Sequence, residues 1–279
     1  MNTTRLVLED TPVQLHEIGG GWSVAVKRED LCSPAPGPQF SKMRGIVPHV
    51  ESRPEDLIGV LDTYHSKAGW GVSQACRALG KKCVVFYPVY KGDAHGRLRE
   101  NQEHCRSLGA HLMPVPAGMS AVLWHRARKV VEAGGGYMMP NALKTPDAVE
   151  ANAREVGAVP PQFLTDTTWV VSVSSGTIAA GVLRGLERRG AMDVDLILHL
   201  GYSRPQQSVV DYVHRSAEVE PNGGGISITV IDEGYEYREG VVSTAPFPCN
   251  EYYDAKAWDW LRRHRADVGE RVLFWNIGA

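Results

Sequence analysis

Residues 24–47 read VAVKREDLCSPAPGPQFSKMRGIV. The β-branched start predicts a strand, the tetrad Lys27-Arg28-Glu29-Asp30 closes it, and a Pro- and Gly-rich loop follows. Ser41-Lys42-Met43-Arg44 then opens a short helix that Gly45 and Pro48 are expected to end. A lysine in the first turn of a helix sits at the positive end of the peptide dipoles, which disfavours its ammonium form, and burial adds to that effect. A neutral amine is a nucleophile, the condition a lysine needs to form a Schiff base with an aldehyde cofactor. Taken alone, the segment reads better as a solvated lysine beside Arg44, because most lysines are solvated.

A second stretch changes that balance. Trp169–Val173 (WVVSV) predicts a buried strand, Ser174-Ser175-Gly176-Thr177 a tight polar turn, and Ile178–Leu186 (IAAGVLRGL) a helix packed on one face. Strand, small hydroxyl and glycine residues, then helix is the order that aims backbone N–H groups and a helix dipole at a phosphate. No Walker lysine follows Gly176 and no G-x-G-x-x-G is present, so a phosphate monoester suits the turn better than a nucleoside triphosphate or a dinucleotide. An imine-forming lysine and an uncharged phosphate cup together call for pyridoxal 5′-phosphate (PLP).

V-K-R-E-D-L followed by F-S-K-M-R-G resembles the cofactor-lysine segment of the tryptophan synthase β-like (fold type II) PLP-dependent enzymes, especially the aminocyclopropane-carboxylate deaminase and D-cysteine desulfhydrase branch. Other pieces fall in the family's order: Ala75–Gly80, Ser107–Ala110, Tyr137–Pro140, the Ser174 turn, Tyr253-Asp254-Ala255-Lys256-Ala257 and the terminal Val272–Gly278. The resemblance implies an α/β fold of two doubly wound, mostly parallel sheets with the cofactor between a large and a small domain. Residues 1–50 and 158–279 are then expected in the large PLP-binding domain, and 51–157 in the small substrate-side domain. Alternating strand and helix patterns along 57–200 agree with such parallel sheets.

The same resemblance assigns roles. Lys42 holds the cofactor and acts as a base, Ser174, Ser175, Gly176 and Thr177 hold its phosphate, and the loop Thr63-Tyr64-His65-Ser66 grips the substrate carboxylate, with Ser66 available for chemistry. Tyr235 falls near a position where the deaminase branch keeps a tyrosine at the substrate, although the flanking glycine and proline are missing. Two departures stand out. The family reads Ser-Asn-His where this chain reads Ser66-Lys67-Ala68, which places Lys67 either beside the cofactor or in water. In the last turn, where relatives put a hydroxyl or carboxylate against the pyridine nitrogen, this chain has Asn276 and Ile277.

Composition sets wider bounds. The chain has 279 residues, enough for one large or two ordinary domains, and its 43% hydrophobic content is that of a soluble globular protein. A formal charge of −2 gives no global pull towards nucleic acid or anionic membrane. The first residues show no basic region followed by an apolar core, and no apolar run reaches membrane-spanning length, so a cytoplasmic location and no membrane partner are expected. Cys32, Cys76, Cys83, Cys105 and Cys249 form no C-x-x-C pair, which points to reduced structural thiols. His104, Cys105 and His111 match no common zinc spacing, so no metal is expected.

Three functions follow. The first expectation is elimination or deamination, at Cα or Cβ, of a small-molecule amino acid bound through the Lys42 Schiff base. The second is decarboxylation or rearrangement of an amino acid attached to a larger molecule such as a modified nucleobase, with Lys67, Arg97 and Arg99 meeting phosphates, although no base-reading motif is present. The third is a PLP-binding relative without turnover. A homodimer is implied by the resemblance.

Overall fold

The computed structural model describes residue 6 and residues 8–33, 37–91, 98–221 and 225–278. The chain runs β1 (Val13–Gly19), β2 (Trp22–Arg28), α1 (Met43–Glu51), β3 (Leu57–Leu61), α2 (Ala68–Ala78), β4 (Lys82–Val89), α3 (Glu100–Ser107) and β5 (His111–Pro116). It continues through α4 (Ser120–Ala133), β6 (Tyr137–Met138), α5 (Pro146–Gly157), β7 (Thr165–Val173), α6 (Thr177–Arg188) and β8 (Met192–Leu200). The last elements are α7 (Gln206–Ala217), β9 (Ile226–Ile231), α8 (Asp254–Arg263) and β10 (Val272–Asn276).

Two compact units emerge, one built around Gly45–Asp147 and the other around Leu8–Pro34, Gln39–Arg44 and Ala148–Ala279. The smaller holds a four-stranded parallel sheet in the order β5-β4-β3-β6. The larger holds six strands in the order β1-β2-β10-β7-β8-β9, parallel except for the β1–β2 hairpin. This is the α/β architecture of two mostly parallel sheets expected from the sequence. Among the described residues no helix is long and apolar enough to cross a membrane.

Strand β7 shows why the larger sheet is covered twice. Trp169, Val171 and Val173 pack with α5, α6 and α7 on one face, whereas Val170 joins Trp258, Leu261 and Phe274 on the face covered by α8. Alternate side chains of a strand point to opposite faces, so the consecutive apolar residues Trp169, Val170 and Val171 require burial on both. Trp258 and Leu261 are fully buried and Trp260 nearly so.

The units differ at their edges from the expected division. Helix α5 was expected with the small domain, yet Ala148 onward belongs to the larger unit. The cause is close helix packing: a Cβ on Gly181 of α6 would lie 2.6 Å from Asn152 Cβ and 2.7 Å from the Val149 carbonyl of α5. Helix α1 also runs further than its sequence implies. It passes through Gly45 and Pro48 to Glu51, losing the hydrogen bond that Pro48 cannot donate, because buried Ile46 and Val50 hold its inner face. Arg97 lies outside the described residues. Edge strand β9 has no counterpart in the sequence reading, because six residues at a sheet edge give a short signal.

Candidate active site

The turn after β7 is built as a cup. Gly176 is the residue before α6 and takes φ +88°, and a Cβ there would press to 2.7 Å of the Tyr212 ring. Its carbonyl accepts the Ala180 N–H at 2.9 Å, so the helix starts here and its first amides point back into the turn. Around them stand the hydroxyls of Ser174, Ser175 and Thr177. Ser175 and Thr177 are bonded to each other at 3.0 Å, Thr177 pairs with Tyr212 Oη at 3.2 Å, and Ser174 donates to Tyr253 Oη at 3.4 Å.

Lys42 reaches this cup. Its Nζ lies 2.9 Å from Ser175 Oγ, although the two residues are 133 positions apart in sequence. The segment before α1 is pinned from behind: Ser41 donates its N–H and its hydroxyl to the Ile277 carbonyl at 2.8 and 3.1 Å. Three residues beyond Ser41, Arg44 donates to Glu29 at 2.7 Å and pairs with Glu155 at 2.9 Å, and Lys27 in turn donates to Glu155 at 2.7 Å. Two buried cations and two buried carboxylates thus neutralise one another beneath the lysine segment. The charged tetrad Lys27–Asp30 is thus a set of ion-paired side chains, with Arg28 also paired to Asp30 at 2.6 Å.

A further group had been quoted as motif without a role. Asp254 is fully buried at the start of α8 and accepts Ser172 Oγ at 2.6 Å and the N–H groups of Ile277 and Gly278 at 3.2 Å each. Burial pushes its carboxyl up to about 7, against the pull of those donors. Asn276, by contrast, spends its side-chain amide on Asp30 and on the Pro248 carbonyl, both at 2.9 Å. Tyr235 lies beside the buried Lys256, whose Nζ sits 4.4 Å from its ring and donates to the Gly201 carbonyl at 2.6 Å.

In the Gly45–Asp147 unit, Thr63-Tyr64-His65-Ser66-Lys67 form the loop between β3 and α2. The loop is folded over Asp62, a buried carboxyl that receives the N–H groups of Gly69 and Thr63 and the side chains of Ser66 and Gln102. Burial dominates and pushes Asp62 up to about 7. Ser66 Oγ also accepts the Ala68 N–H at 3.0 Å, and the Lys67 carbonyl accepts the Gly71 N–H at 2.9 Å, so the loop doubles as the start of α2. Lys42 and the Ser174–Thr177 turn therefore converge within one unit, and the Thr63–Lys67 loop belongs to the other.

These donors suit a pyridoxal phosphate. The cup offers hydroxyls and helix amides to a phosphate, a primary amine stands beside it, and a buried carboxyl with a raised pKa lies behind β7. Comparison with known proteins agrees. Residues 5–219 match the family described as pyridoxal-phosphate dependent enzyme. A relative from Pseudomonas phage M6, named glycyl-dTMP PLP-dependent decarboxylase, is 46% identical over 281 residues, covering 98% of this chain and 100% of its own. A crystal structure of an ACC deaminase homologue superposes with TM-score 0.79 at 20% identity, covering 98% of this chain and 90% of that one. Threonine deaminase isoform 2 from Solanum lycopersicum gives 0.66 at 14% identity, covering 98% and 80%. The chain belongs to the fold type II pyridoxal-phosphate dependent enzymes.

Proposed function

We propose that this enzyme removes the carboxylate of an amino acid carried on a pyrimidine nucleotide. The observation that carries the reading is the 2.9 Å approach of Lys42 Nζ to Ser175 Oγ at the start of α6. Near-full-length similarity to a protein named for decarboxylation of glycyl-dTMP supports the choice of reaction. Bound PLP supplies an aldehyde for the substrate amine and a ring that takes up the electron pair left at Cα.

The chain's own residues divide the remaining work. Ser174, Ser175, Thr177 and the first amides of α6 fix the phosphate, and with it the depth of the ring. When the bond from Cα to the carboxylate breaks, carbon dioxide leaves, and Lys42 as an ammonium returns one proton to Cα. Asp254, not Asn276, is our assignment for the ring nitrogen: a buried carboxyl with its pKa raised to about 7 would share a proton there, whereas the Asn276 amide donates to Asp30. That acid partner strengthens the electron sink that decarboxylation requires. The loop Thr63–Ser66 is assigned to the carboxylate end of the substrate, and Tyr235 to its outer side.

Elimination or deamination of a free amino acid, the reaction expected first from the sequence, draws support from folds at 20% identity or below, which speak to architecture alone. Lys42 and a complete phosphate cup weigh against a relative without turnover.

Borohydride reduction of purified holoenzyme is expected to fix the cofactor on the peptide carrying Lys42. Incubation with a glycine-substituted thymidine monophosphate is expected to release carbon dioxide and leave a nucleotide-borne amine. Release of ammonia with a keto product, or rapid turnover of free D-cysteine or aminocyclopropane carboxylate, overturns the decarboxylase reading. A label on Lys67 overturns the lysine assignment.

A further inference from the structure

A free amino acid is recognised through its amine and carboxylate. An amino acid borne on a nucleotide brings two more features, a flat base and an anionic phosphate. Next to the Thr63–Ser66 loop the structure gathers side chains with that chemistry. The Tyr64 and Tyr90 rings meet edge to face at 5.4 Å and 77°. The Arg99 guanidinium lies 4.6 Å from the Tyr64 ring centre and 5.5 Å from that of Tyr90, and also donates to the Pro88 carbonyl at 3.3 Å. Asn101, in the first turn of α3, donates to the Ser66 carbonyl at 2.9 Å and so ties this cluster to the loop.

We propose that Tyr64, Tyr90 and Arg99 form the nucleotide-recognition site of the enzyme, the tyrosine faces taking the pyrimidine base and the guanidinium taking its phosphate. The inference rests on the nucleotide-linked reading of the substrate and names the residues that select it. A guanidinium held against aromatic faces keeps its charge in one place, and its planar fork matches two phosphate oxygens. Tyrosine faces stack on any base, which explains how recognition proceeds without a base-reading motif. All three side chains are half-buried, so part of each surface faces solvent.

Titration of holoenzyme with thymidine, dTMP and a single-stranded thymidine dodecamer tests the site, read by calorimetry and by change in cofactor absorbance. dTMP is expected to bind at least about tenfold tighter than thymidine. Arg99→Gln is expected to bring the two nearly level, and Arg99→Lys to restore part of the difference. Tyr90→Leu should weaken both ligands alike. Unaltered cofactor absorbance and melting temperature of each variant exclude a folding defect. A dodecamer that outcompetes dTMP identifies a strand as the source of the phosphate, and one that binds more weakly identifies the mononucleotide. Equal binding of thymidine and dTMP by the wild type, or a preference that survives in Arg99→Gln, overturns the proposal. Binding of dTMP without carbon dioxide release from the glycine-substituted nucleotide sinks the decarboxylase reading and leaves this site standing; carbon dioxide release with no phosphate preference does the reverse.

Discussion

Asn276 donates its side-chain amide to Asp30 Oδ1 at 2.9 Å, a contact that favours a structural part for it and leaves the proposed ring-nitrogen role to Asp254. If it is a strut between β10 and the turn after β2, Asn276→Ser should cost about 1–3 kcal/mol in urea unfolding, because buried Asp30 loses a donor. The cofactor spectrum should stay as it was. Asp254→Asn should instead retain cofactor and lower turnover about a hundredfold or more. The opposite pattern would return the ring nitrogen to Asn276.

Gly176 and Gly181 separate cofactor binding from packing. Gly176→Ala forces a side chain into a left-handed conformation and against Tyr212 at the mouth of the cup, so the apparent PLP dissociation constant should rise at least about tenfold. Gly181→Ala strains the α5–α6 contact away from the cup and should lower the melting temperature with little change in PLP affinity. Absorbance titrations of both apoenzymes make the comparison.

Asp62 gives a pH dependence of defined sign. Its carboxyl sits at about 7 in the folded chain against an ordinary 3.8, so between those values the folded state holds a proton that the unfolded state has lost. Stability contributed by this group is therefore full below about 4 and declines as pH rises towards 7. Asp62→Asn should remove that decline. The gap between variant and wild-type melting temperatures should widen in the variant's favour from pH 4 to pH 8, and a gap independent of pH would show that Asp62 titrates normally.

The cluster beneath the lysine segment predicts strong coupling. Lys27→Met leaves Glu155 and Glu29 with one cation fewer in a buried setting and should cost about 3–5 kcal/mol. Burial and the neighbouring Glu29 charge already push the Glu155 pKa up, so removing Lys27 should make it rise further. Adding Glu155→Gln should recover part of the loss, and a double-mutant cycle in urea reads the coupling directly. Simple additivity would mean that the four charges act independently.

Much of the site was legible in one dimension because its parts are local. A strand, a small polar turn and a helix declare a phosphate cup within twenty residues, and Lys42 stands out by its place before a helix. Asp254 escaped because a carboxylate in a Tyr-Asp-Ala-Lys run looks like any helix-start acid. Its significance lies in burial and in donors from Ser172, Ile277 and Gly278, which come from distant strands and the chain's end. Tyr90 escaped for the same reason, and Arg99, already read as a phosphate contact, is set against Tyr64 only by folding.

The sequence alone determined the layered architecture and the type of cofactor, because strand and helix periodicities and the chemistry of a phosphate turn are properties of neighbouring residues. Tertiary structure decided which distant groups share a site: that Lys42 meets Ser175, that Asp254 lies buried behind the cup, and that Asn276 is spent on Asp30. Those outcomes depend on strand order and on burial. Both are set by how the sheets assemble, so no stretch of the chain read by itself contains them.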